Sequence, residues 1–174
     1  NTVAIAVAWT VAAGGGSITS GGLFTAGTVP GTYTNTVTAT SGALSGTATV
    51  TVTTGPLATI TVTPNPATLA VGGTQSFTAV GKDASGNVVA IAPTWSVVAG
   101  GGAITSGGLF TAGAVPGTYT NTVTATSGAV PGSATVTVTA GPLASITVTP
   151  NPATLSVGGT QSFTAVGKDA GGNV

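Results

Sequence analysis

"TYTNTVTAT", residues Thr118–Thr126, alternates strictly. Tyr119, Asn121, Val123 and Ala125 fall on one side, and five threonines fall on the other. A period of two rich in β-branched residues marks a half-buried antiparallel strand. "ATVTVT" (Ala134–Thr139) and "ITVT" (Ile146–Thr149) repeat the pattern. Turn signals punctuate the runs: "PNP" at Pro64, "VGG" at Val71, "ASGN" at Ala84, "SGG" at Ser106, "VPG" at Val115 and Val130. Short strands broken at intervals of roughly 8–12 residues indicate a β-sandwich or barrel. No helix signal competes, so the fold class is all-β.

The pattern recurs. Trp9 returns as Trp95, "SGGLFTAG" at Ser20 returns at Ser106, and "TVTPNPATL" at Thr61 returns at Thr147. Every offset is 86 residues. Aligning 1–86 with 87–172 leaves 14 differences, so 72 of 86 positions are identical. The sharpest differences are Val7/Pro93 and Ser45/Pro131. This period exceeds a solenoid unit and suits a small domain. "GP" at Gly55 and Gly141 marks each junction. The expected organisation is 1–54 as the C-terminal part of one domain, 55–140 as a complete domain, and 141–174 as the N-terminal part of the next. Expected strands in the complete domain are about 57–63, 67–71, 74–81, 88–98, 103–105, 109–112, 118–126 and 133–139. Ile60, Val62, Leu69, Val71, Phe77, Ile91, Trp95, Val97, Ile104, Phe110, Tyr119, Val123, Val136 and Val138 are expected to face inward, with Asn121 among them as a buried amide. The Tyr119 hydroxyl should find a partner.

Composition removes most chemistry. The 174 residues include two Lys (82, 168) and two Asp (83, 169), and no Glu, Arg, His, Cys or Met. General acid–base catalysis lacks His and Glu. The abundant Ser and Thr lack a base to activate them. Two Asp residues 86 apart supply no zinc site. Two lysines make no phosphate-neutralising patch, so nucleic acid is not an expected partner. No apolar run reaches the length of a membrane span. The sequence therefore predicts no enzyme, no catalytic, cofactor-binding or metal residues, and no cofactor. Yet 41% of residues are hydrophobic and net charge is zero, which is not a disordered composition.

"ITVTPNPATLSVGGTQSFTAVGKDAGGN" (Ile146–Asn173) resembles the opening half of a bacterial Ig-like domain of intimin- and invasin-like surface proteins. Trp95, "GLFTAG", "GTYTNTVTATSG" and "GSATVTVTAG" resemble the remainder. The resemblance covers the whole chain in two copies. It implies tandem Ig-like sandwiches in an elongated array, outside a prokaryotic cell, with a structural role in a filament or stalk. The alternative is an adhesin segment that binds a glycan or partner surface.

The expected partner is a copy of the chain itself. Both ends fall out of the domain frame, inside the same turn motif. Two expectations follow: a window onto a longer covalent or helical fibre, or strand complementation between subunits. Thr makes up 37 of 174 residues, so O-glycans on outward Thr are a further expectation. The only charges lie in "GKDASGNV" (Gly81–Val88) and "GKDAGGNV" (Gly167–Val174). The reading here is an exposed turn with a solubilising charge pair, in which Asp83 bonds to backbone two residues on. A calcium site would need six to eight oxygens, and only one carboxylate is local.

Overall fold

The computed structural model describes residues 5–12, 14–98 and 100–174. Among them every regular element is a strand. The first are β1 (Ala8–Val11), β2 (Gly16–Ile18), β3 (Phe24–Ala26), β4 (Gly31–Ser41) and β5 (Leu44–Val52). Next come β6 (Leu57–Thr63), β7 (Ala67–Ala70), β8 (Thr74–Ser76), β9 (Thr78–Asp83) and β10 (Val88–Val89). They are followed by β11 (Thr94–Val97), β12 (Gly102–Ile104), β13 (Leu109–Ala112), β14 (Gly117–Ser127) and β15 (Val130–Thr139). The last are β16 (Leu143–Thr149) and β17 (Thr164–Asp169). Contacts divide the chain into two compact units, Asn1–Thr59 with Gly81–Ile91, and Ile60–Val80 with Ala92–Val174.

The second unit holds a four-stranded sheet in the order β11-β14-β15-β7. β14 and β15 are antiparallel, and β7 lies parallel to β15 with Val136 opposite Ala67 and Val138 opposite Leu69. A three-stranded sheet, β12-β13-β8, supplies the facing aromatic residues. The Phe77 and Phe110 rings meet edge to face, with centroids 6.0 Å apart and planes at 85°, an arrangement that suits the ring quadrupole. Around them Val123, Ala125, Ala134 and Val136 are fully buried. Asn65 carries the chain between the sheets. Its Oδ1 accepts from Thr135 N at 3.0 Å and its Nδ2 donates to Ser133 O at 3.3 Å, just before β7 takes over the edge of β15.

In the first unit β1, β4 and β5 form a sheet and β2 pairs with β3. Their registers are those of β11, β14, β15, β12 and β13 shifted by one period: Trp9 faces Ala39 as Trp95 faces Ala125. In these strands the shared sequence takes the same registers. The environment differs, because no described strand stands beside β5 as β7 stands beside β15. Ala134 is fully buried while its counterpart Ala48 is exposed. The contrast repeats at the other end. Ile60, Val62 and Phe77 are 8%, 3% and 2% exposed, whereas Ile146, Val148 and Phe163 are 62%, 46% and 54% exposed.

Three sequence expectations need correction. Asn121 is not a buried inward amide: it is exposed, in the left-handed region at φ 52°. The register slips there, with Tyr119 opposite Val136 but Val123 opposite Ala134. Asn tolerates this conformation better than most residues, and its N–H donates to Thr135 Oγ1 at 3.2 Å in place of a ladder bond. The bulge turns Thr122 inward instead, where its Oγ1 donates to Val98 O at 3.0 Å. Asn35 and Thr36 show the same inversion. Second, the expected strand 88–98 is two strands: β10 pairs with β9, and β11 pairs with β14. Residues Ile91–Pro93 carry the chain from one sheet to the other, and Pro93 can donate no ladder bond. Third, expected strand 74–81 breaks at Phe77, whose N–H donates instead to Gly108 O at 2.8 Å.

Phe110→Ala should cost about 3–5 kcal/mol, the usual range for emptying a filled aromatic site. Phe163→Ala removes a ring already half in solvent and should cost about 0.5 kcal/mol or less. Urea unfolding of the two variants checks the difference.

Candidate functional site

Lys82 and Asp83 are neighbours in β9, so their side chains leave on opposite faces. Lys82 is exposed and Asp83 is buried, at 6% exposure. The expected solubilising charge pair is therefore not what the fold builds. Asp83 closes the turn between β9 and β10. Its N–H donates to Asn87 O at 2.9 Å, and its carbonyl accepts from Gly86 N at 3.0 Å. Gly86 sits at φ 86°, which only glycine adopts without strain.

Four N–H groups converge on the Asp83 carboxylate. Oδ1 accepts from Ser85 N at 2.9 Å and Asn87 N at 2.8 Å. Oδ2 accepts from Asn87 Nδ2 at 2.9 Å and Gly55 N at 2.9 Å. The bond to Ser85 is the one expected from sequence. The bond to Gly55 reaches the "GP" junction, 28 residues earlier. Asn87 Nδ2 also donates to Thr28 O at 2.8 Å, in the preceding repeat. One carboxylate and one amide thus tie together the β3–β4 loop of one repeat, the junction peptide and the β9–β10 turn of the next. Val52, Gly55 and Asp83 line a small hollow there of about 210 Å³.

The second junction repeats the first. Asp169 Oδ2 accepts from Gly141 N at 2.8 Å and from Asn173 Nδ2 at 2.9 Å. Oδ1 accepts from Gly171 N at 2.9 Å and Asn173 N at 2.8 Å. Asn173 Nδ2 donates to Ala114 O at 3.1 Å. The substitutions Ser85/Gly171 and Thr28/Ala114 leave the network intact, because only backbone atoms of those residues take part.

This chemistry is structural. Every carboxylate oxygen already accepts two N–H donors, and donors pointing inward would repel a cation, so calcium has no place on Asp83. Among the described residues no three acidic, His or Cys side chains cluster. The Asn87 side chain first, then the Gly55 amide, then the Asn87 and Ser85 amides favour the ionised carboxylate. Together they outweigh desolvation and hold its pKa at about 2, against an ordinary 3.8. Asp169 is held at about 2 by the same set. Sequence reading missed the partners Gly55 and Asn87. Asp followed by Asn four residues on, at every period, was the available signal.

No protein-family model matches the chain, and no curated protein matches it. Among solved structures, domains 4–9 of the surface layer protein SbsC align over 99% of this chain and 30% of that one, with 24% identity and a TM-score of 0.44. Domains 1–6 of the same protein align over 97% of this chain and 24% of that one, with 22% identity and a TM-score of 0.45. The chain thus spans less than a third of the length of these structures.

Since the folded pKa lies below the unfolded one, the clamp's contribution is full above about pH 4 and is lost as the pH falls through about 2. The thermal midpoint of the native chain should fall over that window. Replacing both residues, Asp83→Asn and Asp169→Asn, should lower the midpoint at neutral pH and flatten its acid dependence.

Proposed function

We propose that the chain is a stretch of tandem immunoglobulin-like sandwiches serving as the structural repeat of a prokaryotic extracellular filament or cell-surface stalk, with no chemistry of its own. The observation that carries this is the duplicated junction clamp: two successive repeats are tied to their predecessors by the same atoms. A chain built only to hold binding modules needs no such identical joints; one built for a regular, stiff array does.

The Ig-like assignment draws on strand order. Strands β11, β14, β15 and β7 correspond to one layer of such a sandwich, and β6, β8–β9, β13 and β12 to the other. Tyr119 Oη donates to Val115 O at 2.9 Å, four residues upstream at the start of a long strand. Tyr33 does the same to Val29. These bonds support the reading, because a tyrosine corner of this kind recurs in such sandwiches. The repeat is taken as 55–140, with 1–54 and 141–174 as parts of its neighbours, in keeping with a bacterial Ig-like array. O-glycans fit the exposed Thr of the outward faces, among them Thr118 and Thr120. Mass spectrometry of Thr-bearing peptides from material of the native source tests them, since an attached sugar adds its mass to the bare peptide.

Chains carrying increasing numbers of the repeat should lengthen by one constant increment per repeat in small-angle scattering. The double Asp→Asn variant should show a broader distribution of lengths. Compact particles whose maximum dimension does not grow with repeat number would overturn the stalk reading.

A further inference from the structure

We propose that the joint between repeats is the acid-sensitive element of this chain: protonation of Asp83 and Asp169 unfastens each joint while the strands on either side stay folded. The inference rests on the stalk reading above and deepens it by naming a condition under which the array loosens.

The geometry of the clamp carries it. Each oxygen of the Asp83 carboxylate accepts two N–H groups. All four partners are donors, so a proton added to either oxygen would point at another N–H. The neutral carboxyl, which carries one O–H of its own, therefore gives up at least one of the four bonds wherever the proton sits. The two sides of the clamp are not equally replaceable. The turn keeps its own backbone pairs, Asp83 N to Asn87 O and Gly86 N to Asp83 O. On the junction side the bond to Oδ2 is the one hydrogen bond that Gly55 N makes among the described residues. A proton on Oδ2 leaves both turn bonds on Oδ1 in place and breaks the hold on the junction. The Asn87 side-chain amide loses its carboxylate partner as well, and only its bond to Thr28 O remains. Contacts group Gly81–Ile91 with Asn1–Thr59. The β9–β10 hairpin is thus the part of the middle repeat that grips the preceding one. Asp169 stands in the same cage of four donors.

Nothing else in the chain answers to acid. The hollow beside the clamp is lined by Ala26, Gly27, Thr28, Val52, Thr53 and Pro56, none of which titrates. Lys82 leaves the opposite face of β9, and Tyr33, on β4, donates its hydroxyl to Val29 O. Lysine and tyrosine side chains do not titrate in the acid range. The sequence has no Glu or His, and no Asp besides these two. Acid ordinarily unfolds a protein by protonating carboxylates that its native state has paired or hydrogen-bonded. Here both such carboxylates stand at joints, and the Val, Ala and Phe core contributes none. Because the folded carboxyls are held at about 2, below their ordinary value, the clamp is complete above about pH 4 and is lost as the pH falls through about 2.

The test uses the full chain. It has no cysteine, so two spin labels can be placed at Thr47→Cys, before the first joint, and Thr111→Cys, after it, both exposed strand positions. At neutral pH the distance between the labels should show one narrow peak. As the pH falls through about 2 that peak should be lost, and it should return on neutralisation. Fluorescence of Trp9 and Trp95 should stay that of the folded chain throughout. Asp83→Asn puts an amide donor where the proton would sit, so this variant should lack the narrow peak already at neutral pH and change no further in acid. A variant that fails to fold shows in the fluorescence, and the acid titration of the labelled chain with Asp83 intact then decides by itself. The inference is overturned if the narrow peak survives acid, if the folded variant keeps the peak at neutral pH, or if the tryptophan signal is lost in the same step as the peak. Any of these results, alongside chains that still lengthen by a constant increment per repeat, would sink this inference and leave the stalk reading standing.

Discussion

The mutual burial of two half-repeats is the constraint on which the structure depends. Strands β6–β9 offer Ile60, Val62 and Phe77; strands β11–β15 offer Phe110, Val123, Val136 and Val138. Neither group covers its own apolar side. Where both are present these side chains are nearly inaccessible to water. In residues 143–174 their counterparts Ile146, Val148 and Phe163 are 62%, 46% and 54% exposed. Each fully buried side chain of this size contributes about 1.5–3 kcal/mol, so the central pairing outweighs any single hydrogen bond in the chain.

A core of Val, Ala and Thr around two phenylalanines leaves little room for charge. The molecule places its few charges accordingly. Asp83 and Asp169 are shielded from water yet fully hydrogen-bonded, which is how a buried charge is tolerated. Their partners are the side-chain amide and peptide N–H groups of the turn and one peptide N–H from the "GP" junction. Lys82 and Lys168, one residue earlier in each case, stay in water.

Much of this was legible in the sequence. The period of two gave the strands, and the period of 86 gave the recurring registers. What escaped were places where local pattern yields to tertiary need. Asn121 continues a perfect alternation on paper, yet its low strand propensity and tolerance of positive φ make it the residue where β14 bulges. The extra residues bring Thr122 to the core side, and no periodicity count reveals that. Asp83 lies beside Lys82 in sequence, which suggests a pair, but pleating separates them. Its bond to Gly55 spans a full strand pair, and only the folded register brings those atoms together.

The parallel pairing of β7 with β15 has a mechanical consequence. β7 lies near the start of the repeat and β15 near its end, and they run in the same direction. A pull on the two ends of the repeat in opposite directions therefore slides one strand along the other. The four facing pairs from Val136–Ala67 to Thr139–Ala70 bear the load together, in shear, rather than opening one after another. A hairpin at the same place would unzip bond by bond. The strand order of this sheet therefore also sets its resistance to a pull applied between β7 and β15.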